Sequence, residues 1–235
     1  MHQKITVCSC TSRSFIHKDQ VAGIVAVLRG EGYSVTVEPD LCKKIMVSSP
    51  DLSGIASSTI LACYPRAVRS LFLMRHLEPQ QVIDIRNNGI AGVLDQLHVS
   101  PEAGSNIREK EILQEEIAAL PVEDGTDAWF PVIDKERCSE CRQCHNFCLF
   151  GVYEIEEGMV RVKQPQNCKN NCPACARICP AKAIIFPKYE KSPINGGLTD
   201  EENMSADTKA MYAEALRMRL QQRRASVPLL KKEDQ

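Results

Sequence analysis

The stretch from Cys138 to Pro180 leaves a chain like this few ways to fold. It holds eight of the twelve cysteines, in two runs. The first is C-x2-C-x2-C-x3-C, made by Cys138, Cys141, Cys144 and Cys148; the second is C-x3-C-x2-C-x3-C-P, made by Cys168, Cys172, Cys175 and Cys179. Spacing this short wraps the backbone around one face of an iron–sulfur cube. Three thiolates of a run then meet one [4Fe–4S] cluster, and the fourth points away to complete the other. On that logic Cys138, Cys141, Cys144 and Cys179 hold cluster one, and Cys168, Cys172, Cys175 and Cys148 hold cluster two. Four-thiolate zinc is the rival, but zinc gives no reason for a close run of four cysteines twice over. A disulfide framework would need an exported chain.

The rest of the composition narrows the function classes. A formal net charge of −1 over 235 residues offers no basic footprint for nucleic acid, and aromatic residues make up only 5%, too few for base-stacking platforms. The longest apolar run, Val21 to Leu28, is too short to span a bilayer, which takes about twenty residues. MHQKITVCSC at the N-terminus lacks the layout of an export signal. The expected location is therefore a reducing cytoplasm, where dense cysteine means metal or redox work.

Residues 1–98 read as a small α/β domain. Strands are expected at Lys4–Val7, Tyr33–Val37, Thr59–Ala62 and Gln81–Ile85. Helices are expected at Asp19–Arg29, Ala67–Arg75 and Ile90–Leu97. Strand alternating with helix implies a parallel sheet with right-handed crossovers. The remaining cysteines, Cys8, Cys10, Cys42 and Cys63, follow successive strands. All four should lie toward the carboxyl edge of the sheet, where such sheets bind ligands. Any one of them alone reads as a small buried hydrophobe; their joint placement reads as a site. From the residues alone a cluster, zinc, a thiol centre or no ligand all stay open.

Residues 99–127 read as a helical connector. Its helix starts near Ser100-Pro101-Glu102, with an apolar stripe of Ile107, Leu113, Ile117 and Leu120 and a solvated face of Glu109, Glu111, Glu115 and Glu116. Residues 128–190 form the cysteine-rich α+β domain. Trp129–Ile133 enters as a strand and Ala183–Phe186 leaves as its partner. A hairpin joins Val152–Ile155 to Met159–Val162 through Glu156-Glu157-Gly158. The two halves repeat at about thirty residues. Ile155, Val160, Ile178, Ile184 and Ile185 are expected to shield the clusters. Residues 191–235 form a tail with a capping box at Thr199-Asp200-Glu201-Glu202 and an amphipathic helix around Met211, Ala215 and Met218.

Two resemblances give these parts names. CSECRQCHNFC and CKNNCPACARICP resemble the two-cluster bacterial ferredoxin family. Two departures stand out: Lys169-Asn170-Asn171 is one residue longer than the usual spacing, and Leu149 replaces the usual proline after the fourth cysteine. VCSC (Val7–Cys10), DLCKKIMVSSPDL (Asp40–Leu52) and ILACYPR (Ile60–Arg66) resemble the N-terminal domain of the heterodisulfide reductase A subunit. That second resemblance implies a third [4Fe–4S] cluster on Cys8, Cys10, Cys42 and Cys63, an anaerobic setting and a heterodisulfide-reductase-like complex. Thr11 departs from the glycine usual there. The G-x-G-x-x-G of the family's flavin domain does not occur, so no flavin is expected.

The function these readings imply is single-electron transfer through two clusters, or three with the second resemblance, between donor and acceptor redox proteins. No nucleic acid, no membrane span and no catalytic acid or base are expected; the C-terminal helix is a candidate docking element. The alternative is an oxidoreductase in which Cys8, Cys10, Cys42 and Cys63 form a thiol/disulfide centre or a site-differentiated cluster. A redox or iron sensor is a third possibility, with no basic patch to favour it.

Overall fold

The β-branched runs near the start of the chain pair with one another in parallel. In the computed structural model, which describes residues 4–13, 15–86, 88–99, 107–120 and 128–198, they are β1 (Lys4–Cys8), β2 (Ser34–Glu38), β3 (Thr59–Ala62) and β4 (Gln81–Asp84). The strand order is β2-β1-β3-β4, with Val7 opposite Val37 on one side and Leu61 on the other. β3 is central and buried at every residue, whereas β2 is an edge strand with alternate residues exposed. The order reverses at β1, so the crevice between the carboxyl ends of β1 and β3 is the topological switch point of the sheet.

Helices cover both faces, as right-handed crossovers running to opposite sides require. α1 (Lys18–Gly30) buries Val21, Ile24, Val25 and Leu28 and packs with α5 (Gly89–Gln96) and α6 (Ile107–Ala118). Gly23 allows the close approach to α5, since a Cβ there would meet Ile90 Cδ1 at 2.6 Å. α1 ends in a Schellman turn: Gly32 takes φ 80° and the Tyr33 N–H donates to the Leu28 carbonyl. Leu113 and Ile117 of α6 are buried in the same core, and Glu111, Glu115 and Glu116 are exposed. The expected start of that helix and the 123–127 loop lie outside the described residues. So do the C-terminal capping box and amphipathic helix.

The opposite face carries α2 (Leu41–Met46), α3 (Leu52–Ala56) and α4 (Pro65–Met74). α2 and α3 are additions to the expected elements. Asp40 starts α2 by accepting the Lys43 N–H at its Oδ1. Pro65 opens α4 at a first-turn position, where its missing N–H costs nothing. Among the described residues, no helix is long and apolar enough to cross a membrane.

The cysteine-rich part contains β5 (Val132–Ile133), α7 (Gln143–Phe147), β6 (Tyr153–Glu156), β7 (Met159–Val162), α8 (Ala174–Ile178) and β8 (Ile184–Ile185). β5 and β8 pair antiparallel, as do β6 and β7. The β6–β7 turn places Glu157 at φ 51° and Gly158 at φ 80°, the two positive angles of a tight hairpin turn. Ile184 joins the core around the cysteines, but Ile185 does not: it packs into the core of the parallel sheet. Ile155 is 38% exposed. Alternation along these short strands sends neighbouring isoleucines to opposite faces.

All described residues except Leu198 belong to one unit, Met1–Gly197. α4 packs on β5, and a polar seam joins the carboxyl edge of the sheet to residues 134–197. Arg66 donates from Nε to Asp134 Oδ2 at 2.6 Å, from Nη2 to the Lys182 carbonyl at 2.6 Å and from Nη1 to the Gly197 carbonyl at 3.1 Å. Asn195 Nδ2 donates to the Tyr64 hydroxyl at 2.8 Å, and Lys188 pairs with Asp40. The Arg66 and Asp134 side chains are only 17% and 7% exposed, so Arg66→Ala removes the nearer of two cations from a buried carboxylate and leaves it Arg137 at 3.7 Å. The expected cost is about 2–3 kcal/mol, below that of a wholly unpaired buried charge, read as a lower unfolding midpoint in anaerobic thermal or denaturant titrations. Arg29→Ala, which removes the exposed pair with Glu116, should cost under about 1 kcal/mol.

Candidate metal centres

The two cysteine runs fold alike. The third cysteine of each is the second residue of a five-residue helix: Cys144 in α7 and Cys175 in α8. The fourth, Cys148 or Cys179, leaves that helix in extended conformation. Three residues further, Gly151 and Lys182 both take a left-handed conformation, at φ 64° and 50°, and the chain turns toward β6 or β8. The residue before the second cysteine is left-handed in both runs, Glu140 at φ 49° and Asn171 at φ 59°; the extra residue of the second run lies ahead of it, in a turn that the Cys172 N–H closes on the Lys169 carbonyl. Asparagine tolerates that conformation better than most residues. Leu149, standing where a proline is usual, is 93% exposed.

α7 and α8 pack against each other, and this brings the runs together. Cys148 joins Cys168, Cys172 and Cys175 in lining one cavity of about 360 Å³, walled also by Val152 and Tyr153. Burial pushes the Cys168 thiol up to about 12, with Cys175, Cys172 and Cys148 adding to the shift. Cys175 is lifted to about 11 by burial, against the Tyr153 hydroxyl, which donates to its sulfur at 3.1 Å. Cys144 is raised to about 12, first by burial and then by Cys175, Cys179 and Cys138. Cys179 Sγ accepts the Ala183 N–H at 3.3 Å. Cys141 is exposed.

The other four cysteines gather at the carboxyl edge of the parallel sheet, and each is 8% exposed or less. Past the end of the β1–β2 ladder, the Ser9 N–H donates to the Glu38 carbonyl and the Thr11 N–H to the Pro39 carbonyl. These bonds hold the Cys8–Cys10 loop beside Asp40. Cys10 turns at φ 51°, Cys42 lies in the first turn of α2, and Cys63 directly follows β3. The neighbouring Cys63 thiol lowers Cys10 to about 7 despite burial, and is itself raised. Cys8 is driven up to about 12, first by burial and then by Cys10 and Asp40. Cys42 is raised by burial and by Asp40, Cys8 and Cys10, against the Lys188 charge. Among the described residues, no group of three or more His, Cys, Asp or Glu side chains is placed to hold a single metal ion.

Both donor sets fit an iron–sulfur cluster chemically. They are all-thiol, and thiolate is the soft ligand such clusters take. The four sheet-edge thiols, Cys144 and Cys175 are buried where a bare thiolate is costly, and coordination removes that cost, since a coordinating thiol is deprotonated outright. The buried Trp129 Nε1 has no partner among the described residues; it shares a side-chain cluster with Cys138, Cys144, Cys148, Cys168, Cys175 and Cys179. Sequence reasoning missed the polar neighbours: Tyr153 on Cys175, Asp40 and Lys188 at the sheet edge. Asp40 carried a local signal, an acid at a helix start; Lys188 carried none.

No family model and no solved structure matches the chain. Curated relatives do. An uncharacterized ferredoxin of Methanocaldococcus jannaschii is 49% identical over 67 residues, 28% of this chain and 45% of that protein. The chain therefore spans less than half of that relative's length. Pyruvate synthase subunit PorD of the same organism is 34% identical over 85 residues, 32% of this chain and 96% of the subunit. Ferredoxin-3 of Nostoc is 33% identical over 88 residues, 28% of this chain and 90% of that protein. These relatives do not bear on the resemblance of residues 1–98. With PorD and Ferredoxin-3 matched along nearly their whole lengths, the chain belongs, over about a third of its own length, to the ferredoxin family.

Proposed function

We propose that the protein passes single electrons through two [4Fe–4S] clusters on the 138–179 cysteines and a third on Cys8, Cys10, Cys42 and Cys63. Donor and acceptor are subunits of a cytoplasmic, anaerobic redox complex of the heterodisulfide-reductase type. The observation that carries the reading is the single cavity lined by Cys148 together with Cys168, Cys172 and Cys175. A fourth ligand borrowed from the other run is the signature of two clusters sharing one fold. The relative that is a pyruvate synthase subunit supports assembly with oxidoreductase subunits.

A bound cluster supplies the electron by cycling between two oxidation states. The chain's own residues set its environment. Tyr153 and the Ala183 N–H donate to ligand sulfurs and thereby favour the reduced, more negative state. Buried Val152, Val160, Ala176 and Ile184 exclude water around the same sulfurs and favour the less charged, oxidised state. At the sheet edge, burial of all four thiols counts against a thiol centre open to a substrate.

Three measurements test this. Anaerobically purified protein should hold about twelve irons per chain, four per cubane; about eight would remove the third cluster. Cys148→Ser should damage cluster two and Cys179→Ser cluster one, seen as opposite losses in EPR of the reduced variants. Loss of each variant's own-run cluster instead would overturn the crossed sharing. Cys63→Ala should cost one cluster, spare the other two and make Cys8, Cys10 and Cys42 alkylate together, because metal binding and local folding are coupled.

A further inference from the structure

Among the described residues, Lys188 is the one lysine in the set of largest fully buried side chains. Lysine is almost never buried without a partner. Its ammonium donates to Ser12 Oγ and to Asp40 Oδ2, and Ser12 donates to the same carboxylate oxygen at 2.6 Å. Ser12 lies two residues after Cys10 and Asp40 two residues before Cys42. The cation is thus set between the two loops that bring cysteines from β1 and β2, and it arrives from the ferredoxin-like part of the chain.

Fastening alone does not account for it. The seam already has Arg66 on Asp134 and Asn195 on Tyr64, and a buried ion pair is often no more stable than apolar residues of the same volume. The pair stands where its two charges reach the cysteines: the Lys188 field acts on Cys10 and Cys42, and the Asp40 field on Cys8, Cys10 and Cys42. We propose that Lys188 and Asp40 act as an opposed pair that sets the reduction potential of the sheet-edge cluster, Lys188 raising it and Asp40 lowering it. This rests on the reading of Cys8, Cys10, Cys42 and Cys63 as a cluster site. A cubane with four thiolates is anionic in both oxidation states and gains one negative charge on reduction. A neighbouring cation therefore stabilises the reduced form more than the oxidised form, and a neighbouring carboxylate does the reverse. Burial keeps solvent and salt from screening either effect. Neither residue is a ligand; both act through the cluster's surroundings.

The test is an EPR-monitored redox titration of the full chain, with iron counts on every sample. Asp40→Asn should raise the midpoint of one cluster and Lys188→Met should lower it. Each should change the reduction equilibrium by about tenfold or more, which is about 59 mV for one electron. The double variant should fall between the single ones, and the two ferredoxin-type clusters should not move. Asp40→Asn keeps the helix cap, since asparagine caps as well as aspartate, so its sign decides the matter even where Lys188→Met fails to fold. Cluster-loaded variants with unmoved midpoints, or both moving the same way, overturn the charge-pair role alone. Wild-type protein with about eight irons removes the cluster itself, and the proposal with it.

Discussion

One guanidinium makes three of the hydrogen bonds that join the two halves of this molecule. Arg66 stands in the first turn of α4, directly after the strand end that carries Cys63, and spends its donors on Asp134, Lys182 and Gly197. The Asp134 backbone N–H donates to the Ala183 carbonyl, so the arginine is tied to both strands of the β5–β8 pair at one end of its ladder. The ferredoxin-like fold is therefore seated on the edge of the parallel sheet that presents the other cysteines. Two sites that a sequence reader would assign to separate domains share one buried polar boundary.

Much of this was legible in the residues. The four parallel strands fall within a residue of their expected bounds, because β-branched runs between Gly, Pro and helical stripes mark them strongly. The convergence of Cys8, Cys10, Cys42 and Cys63 on one edge followed from parallel topology alone. The hairpin was legible in Glu157-Gly158. What stayed hidden has a common physical cause. Arg66 meets Lys182 at a separation of 116 residues, and Lys188 meets Ser12 at 176; no local period encodes partners so distant. The short helices α2 and α3 were missed because five or six residues show less than two full turns of periodicity. Ile155 and Ile185 were assigned to the cysteine core on hydrophobicity, but strand alternation decided their faces.

The two departures from the usual ferredoxin pattern have different standing. The extra residue before Cys172 is taken up locally, by a turn hydrogen bond ahead of a left-handed position that both runs share, and the cavity that Cys172 lines is lined by Cys148 as well. Leu149 has no such accommodation: it replaces a rigid imino acid with a flexible apolar side chain and projects almost wholly into solvent. The backbone of the repeat tolerates both because the third and fourth cysteines are placed by a helix and its end, not by the loop before them.

Chain order gives the seam a further meaning. The parallel sheet is complete by Asp84, a hundred residues before Lys188. On the ribosome, where domains fold as they emerge, the strand ends with their four thiols take shape first. The residues that pack beside them, 182–197, are made about a hundred residues later. Until then the edge faces the surrounding solution, and afterwards it lies under a buried ammonium and a layer of backbone. On the proposed reading of that edge as a cluster site, translation itself opens a period in which iron and sulfide can be delivered to it without prising the finished protein apart.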